Sequence, residues 1–258
     1  RVGLLAGLLM AVPTVNTTLY TTVSLGGYGE ALLIGNLILL VSLAIQRHAR
    51  TYLFILWGLL AGLGVWANGL TLVYTAPSGL FLLWLLFRQQ IHPVNRNRWL
   101  ALACILVGVL VGASPWWLYA LRQGPRNVIA ELFGTAVAVE QTPWLAQVGQ
   151  HLLSYVLFGL TALFGFRPPW EVRWLVLPLL PFLLAFWLAV MAWIPRGVAR
   201  AESGRAARWL MIGVILSMTA GFLFTPFGVD PSGRYFLPVA VPLALFAAEF
   251  IQKITPRW

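Results

Sequence analysis

TYLFILWGLLAGLGVWANGLTLVYTAPSGLFLLWLLF, residues Thr51–Phe87, decides the fold. It carries no charge and holds two apolar runs, Leu53–Trp66 and Leu70–Phe87, joined only by Ala67-Asn68-Gly69. Asn-Gly is a turn signal, so the pair reads as a tight helical hairpin. Arg47 and Arg50 precede it and Arg88 follows it, which puts both ends of the hairpin on one basic side.

The pattern extends in both directions. Further apolar runs lie at Val2–Thr14, Ala31–Gln46, Trp99–Leu121, Leu152–Phe166, Trp174–Ile194, Trp209–Pro226 and Phe236–Ile251, several of them shorter than an average span of about 20 residues. Hydrophobic residues make up 60% of the 258 and charged residues 9%, with a mean hydropathy of +0.84. A soluble domain of this size cannot hide so much apolar surface, whereas lipid solvates it. The composition therefore predicts an all-α, polytopic transmembrane helical bundle.

The basic residues set the orientation. Arg1, Arg47, Arg50, Arg88, Arg96, Arg98, Arg196, Arg200, Arg205, Arg208, Lys253 and Arg257 fall on one side, read as cytoplasmic. The other face takes Arg122, Arg126, Arg167, Arg173 and Arg234, together with Glu30, Glu131, Glu140, Glu171 and Asp230. Glu202 and Glu249 are the acidic exceptions. Parity then bears on Leu152–Phe166: a full crossing there would put the Arg196–Arg208 loop outside. That segment is expected to be an interfacial or re-entrant outer helix, and Asn127–Gln150 to lie in the interface as well. The expectation is about eight crossings in a single transmembrane domain, 1–258. The chain opens at Arg1 without an initiator Met or a signal-peptide pattern, so it reads as the C-terminal part of a longer protein.

A net charge of +10 in a soluble protein would suggest nucleic acid. Here the basic residues are topogenic, no nucleic-acid motif interleaves with them, and no nucleic-acid partner is expected. The single cysteine, Cys104, excludes an intrachain disulfide and reads as a small buried hydrophobe. His48, His92 and His151 are far apart in sequence, with no HxxxH or HExxH spacing, so no metal site is expected.

Chemistry in such a chain belongs at helix ends and outer loops. Ser24-Leu25-Gly26-Gly27-Tyr28-Gly29-Glu30 brings a flexible turn up to a carboxylate at the membrane boundary. Glu30 reads either as a partner of the helix macrodipole or as a group at the mouth of an outward cavity. Val229-Asp230-Pro231-Ser232-Gly233-Arg234-Tyr235 precedes the last run. Arg234 and Tyr235 read either as an interfacial anchor and aromatic belt or as a phosphate clamp, because guanidinium matches phosphate oxygens bidentately. Arg122 and Arg126 lie outside against the positive-inside trend, either as anchors or as contacts for an anionic lipid head group. Arg167 reads the same way. Asn36 and Asn68 read as interhelical or turn-capping groups. Asn16-Thr17-Thr18 is a glycosylation sequon, relevant only in a eukaryotic secretory context.

Three stretches carry a resemblance. Gly26-Gly27-Tyr28-Gly29-Glu30-Ala31-Leu32-Leu33-Ile34-Gly35-Asn36 looks like the outer loop-to-helix junction of the C-superfamily glycosyltransferases that use polyprenyl-phosphate sugars, such as protein O-mannosyltransferases and lipid A aminoarabinose transferases. Gly58-Leu59-Leu60-Ala61-Gly62-Leu63-Gly64-Val65-Trp66-Ala67-Asn68, followed by Pro77, is similar to their GLLxGLxxxT(N/K) hairpin. Gly233-Arg234-Tyr235-Phe236-Leu237-Pro238-Val239-Ala240-Val241-Pro242-Leu243-Ala244-Leu245 is similar to their RYxLPxxPxLAL last-helix signature. The resemblance implies sugar transfer with inversion, from a polyprenyl-phosphate donor in the membrane to an acceptor, on the extracytoplasmic face of a prokaryotic plasma membrane. It implies a catalytic acid in a segment that would precede Arg1, so no catalytic residue is named. Substrate contacts are expected from Tyr28, Glu30, Arg122, Arg126, Arg234 and Tyr235. No cofactor is evident beyond the lipid-phosphate sugar, and a divalent metal is not readable. The alternatives are a transporter or flippase of lipid-linked sugars, or a non-catalytic membrane assembly subunit.

Overall fold

The computed structural model describes residues 1–23, 26–88, 97–127, 143–171, 173, 177–199, 204–225, 228, 230 and 232–255. Among them every regular element is a helix. In chain order these are α1 (Val2–Ala11), α2 (Val15–Thr22), α3 (Tyr28–His48), α4 (Thr51–Ala67), α5 (Leu72–Phe87), α6 (Arg98–Gly112), α7 (Ser114–Gln123), α8 (Trp144–Ser154), α9 (Leu160–Leu163), α10 (Leu180–Ala199), α11 (Arg205–Phe224) and α12 (Ala240–Ile254). 3₁₀ turns lead into α5 (Gly69–Thr71), α10 (Leu177–Leu179) and α12 (Arg234–Val239), and a π-helical turn, Tyr155–Gly159, joins α8 to α9.

Among the described residues, five helices are long and apolar enough to cross a membrane: Tyr28–His48, Gly69–Phe87, Leu177–Val198, Arg205–Phe224 and Arg234–Ile254. The number rises to seven if each of two bent pairs is one span. An eighth crossing would need the shorter apolar helix Thr51–Ala67. Both bends fall where the sequence reading drew something simpler. Trp99–Leu121 is not one helix but α6 and α7, bent by 56°. Pro115 stands in the first turn of α7, where it supplies no N–H and its ring excludes a continuing helix. The outer segment after Val2–Thr14 is not all loop, because α2 forms there at 73° to α1. The Thr18, Thr21 and Thr22 hydroxyls donate to the carbonyls four residues back, so each hydroxyl is satisfied within the helix. The basic residues Arg196, Arg205 and Arg208 lie within the ends of α10 and α11 rather than in a loop. The expected interfacial run Asn127–Gln150 falls largely in 128–142, outside the described residues, as do Arg96, Glu131, Glu140, Arg200, Glu202 and Arg257.

The chain divides into two compact units. One is Ser24–Gln141. The other combines Arg1–Val23 with Thr142–Trp258.

The Ser24–Gln141 unit is a glycine-packed bundle. Asn68 ends α4 and turns the chain, its side-chain oxygen accepting from Leu70 N at 2.9 Å. Gly64 then faces Thr71, and Gly79 faces Trp57, so α4 and α5 run back along each other as a hairpin. Gly58 and Gly62 on α4 meet Gly108 and Gly112 on α6. A Cβ on any of the four would sit 2.2–2.3 Å from a backbone oxygen of the facing helix. Small residues spaced by four are what lets two backbones approach this closely in an apolar medium. The matches run in step, 58 with 105–109 and 62 with 109–113, so α4 and α6 are parallel. The buried Trp57 indole donates to Ser42 Oγ at 2.9 Å, and Ser42 donates to Ile38 O at 2.8 Å, which satisfies the polar atoms between α3 and α4. The directions leave Arg47, Arg50, Arg88 and Arg98 at one end of this unit, and Tyr28, Glu30, Asn68 and Trp116 at the other.

The second unit shows the same sorting. Arg208 at the start of α11 pairs with Glu249 near the end of α12. Phe222, near the end of α11, packs on Phe236 ahead of α12, with ring centroids 4.8 Å apart. The two helices are therefore antiparallel, with the basic end at Arg205–Arg208 and the aromatic end at Phe222–Phe236.

Candidate functional site

Three distant segments meet at the aromatic end of the second unit. The first is the start of α2. Asn16 is 1% exposed and donates from Nδ2 to Gly233 O at 3.0 Å. An amide so enclosed is out of reach of a glycosylating enzyme in the folded chain, so the sequon reading does not hold there. The second is the turn before α12. Gly233 has φ +74°, and a Cβ on it would come within 2.6 Å of the Ala162 methyl, so both backbone angle and space demand glycine. Asp230 shapes the turn, one carboxylate oxygen accepting from Ser232 N at 2.8 Å. The other oxygen pairs with the Arg234 guanidinium. Arg234 also reaches the Tyr235 hydroxyl at 3.3 Å and lies over the Tyr235 ring at 5.1 Å.

The third segment is α9 and the chain after it. Arg167 is 2% exposed and acts as a tie. Its Nε donates to Thr161 Oγ1 at 3.0 Å and its Nη2 to Phe158 O at 2.9 Å. Its Nη1 donates to Pro168 O at 3.0 Å and Glu171 O at 3.1 Å. Burial lowers its pKa from the ordinary arginine value; the four acceptors and the Phe158 ring, 5.4 Å away, hold the cation. Arg167 is thus a structural residue rather than an outward anchor. The π-turn serves the same junction: Gly159 leaves room for the Phe236 ring, and the Tyr155 hydroxyl lies 3.0 Å from Thr219 Oγ1. His151 is buried, its Nδ1 donating to Leu223 O at 2.9 Å, so it is occupied in packing.

The remaining expected contacts lie in the other unit. Tyr28 is buried at the start of α3, whereas Glu30 is exposed in that helix's first turn, where a carboxylate favours the macrodipole. Asn68 donates to Gly26 O at 2.9 Å, closing the glycine turn onto the α4–α5 connection. Arg122, in the last turn of α7, and Arg126 beyond it are both exposed. The structure therefore brings Asp230, Arg234 and Tyr235 together within the second unit, and Tyr28 and Glu30 together at the start of α3 within the other. Asn16, Thr161 and Arg167 frame the first of these, and their convergence depends on contacts across most of the chain. Among the described residues no three His, Cys, Asp or Glu side chains come together as a metal site.

No protein-family model, no curated protein and no solved structure matches this chain.

Proposed function

We propose that this chain is the helical part of an integral membrane glycosyltransferase. It moves a sugar from a polyprenyl-phosphate donor to an acceptor on the extracytoplasmic face of a prokaryotic plasma membrane. The observation that carries the reading is the Asp230–Arg234–Tyr235 group, set at the start of the last apolar helix and at the opposite end of its unit from Arg205 and Arg208. A lipid-linked donor keeps its tail among apolar helices and its phosphate at their ends. A guanidinium there matches two phosphate oxygens. Asp230 holds Arg234 in place of the donor, and phosphate binding exchanges one anionic partner for another. Arg234 then offsets the charge that develops on the leaving phosphate. The order of the three resembling motifs along the chain supports the same reading.

The test is sugar transfer from a polyprenyl-phosphate donor by the full-length protein in proteoliposomes. A charge-assisted bond to phosphate contributes roughly 1.5–3 kcal/mol, so Arg234→Ala weakens apparent donor affinity about 10- to 100-fold. Arg234→Lys recovers only part, since it keeps the charge without the planar fork. Wild-type donor affinity in Arg234→Ala would make the residue an interfacial anchor and move the phosphate site to Arg122 and Arg126.

A further inference from the structure

The other end of the same unit carries a second site, independent of the glycosyltransferase reading and resting only on α10 and α11 lying in a bilayer. A groove of about 450 Å³ runs between these helices. Its walls are apolar throughout, including Met191, Ile194 and Val198 from α10 and Trp209, Ile212 and Leu216 from α11. That volume falls within the range of small-molecule pockets, roughly 300–1,000 Å³. Among the described residues no hydrogen-bonding side chain other than the Trp209 indole lines it, which suits a hydrocarbon chain.

Among the described residues, charge stands at one mouth. Arg196 lies two residues before Val198, and Arg205 and Arg208 lie within a turn of Trp209. Arg208 is engaged by Glu249, Nε lying 2.9 and 3.1 Å from the two carboxylate oxygens. Arg196 and Arg205 are exposed. Among the described residues these three arginines stand near one carboxylate, Glu249, which leaves this mouth positive. The N-terminus of α11 adds its dipole to the same field.

We propose that this groove is a binding site for an anionic phospholipid of the surrounding bilayer. One acyl chain lies between α10 and α11, and the phosphate sits among Arg196, Arg205 and Arg208. Basic pockets between membrane helices select such head groups by charge. A second copy of this chain fits less well: in one membrane it would bring the same arginine cluster against this one, and like charges repel.

Native mass spectrometry of the full chain in detergent tests the site, with phosphatidylglycerol and phosphatidylcholine added at equal concentration. Each arginine near the surface contributes about fivefold, so the wild type retains the anionic lipid roughly 25-fold over the zwitterionic one. Arg196→Gln with Arg205→Gln brings the two lipids to parity. Arg205→Gln alone, at an exposed position, removes about fivefold of the preference and serves if the double variant does not fold. Ile212→Trp fills the groove and lowers retention of both lipids. Equal retention of the two lipids by the wild type overturns the proposal, as does a preference that survives both charge removals. A wild-type dimer that Ile212→Trp converts to monomer, with lipid retention unchanged, assigns the groove to a second copy and overturns it too.

Discussion

The two units are held together by different means. In the Ser24–Gln141 unit, α4 and α6 meet backbone to backbone through Gly58, Gly62, Gly108 and Gly112, and the buried Trp57 indole finds its partner in Ser42 on the neighbouring helix. In the second unit, helix ends are joined by a polar knot: Asn16 to Gly233, Arg167 to four acceptors, Asp230 to Arg234. The first solution suits a scaffold. In lipid the hydrophobic effect does not drive helices together, so close packing of small residues must do it. The second suits a site, because it fixes charged and hydrogen-bonding groups at a helix end where a polar ligand has access.

That contrast breaks first if the glycines are not needed. Gly112→Val drives a side chain into Leu59 O, a backbone atom that cannot step aside. It destabilises the chain by roughly 3 kcal/mol or more in a detergent unfolding titration. Gly221→Ala is the control: nothing lies within 4 Å of a Cβ there, and alanine raises helix stability by about 0.5–1 kcal/mol. Equal effects from the two substitutions would show that α4 and α6 are not in close backbone contact.

A smaller effect sharpens the other half of the comparison. Arg167→Met keeps the bulk but removes the donor to Thr161 Oγ1 and strands the Pro168 and Glu171 carbonyls, costing about 2–3 kcal/mol in the same titration. Arg167→Lys restores less than half, since an ammonium cannot span four acceptors arranged around a planar fork. A loss below about 0.5 kcal/mol, the usual size for a surface substitution, would reduce Arg167 to a surface anchor.

The scaffold was more legible in the sequence than the knot. Thr51–Phe87 announces its hairpin locally: two apolar runs, one Asn-Gly turn, arginines at both ends. The glycine pairs 58/62 and 108/112 were also visible as small residues four apart in apolar runs, a signal for close helix packing. Their facing one another was not. The break at Ala113 had its cause in view at Ser114-Pro115, but an uninterrupted apolar run outweighed a single proline. The knot could not be read, because Asn16 and Gly233 are 217 residues apart and neither residue type alone marks a contact. Arg167 looked like Arg122 in sequence; only burial separates them. Arg234 and Tyr28 were legible as candidates because a cation, a phenol or a carboxylate at the edge of an apolar run stands out wherever the chain goes next.

The proposed function requires the Ser24–Gln141 unit to be sided, with the ends carrying Arg47, Arg50 and Arg88 toward the cytoplasm and those carrying Asn68 and Tyr28 outward. Cysteine labelling tests this most directly, in a Cys104→Ala background with an impermeant maleimide applied to intact cells. Arg50 is exposed at the start of α4, and Gly69, beyond its other end, has open space around it. The expected result is that Gly69→Cys is labelled from outside, while Arg50→Cys is labelled only after permeabilisation. Labelling of Arg50→Cys in intact cells, with Gly69→Cys protected, would invert the topology of this unit and contradict the proposed orientation.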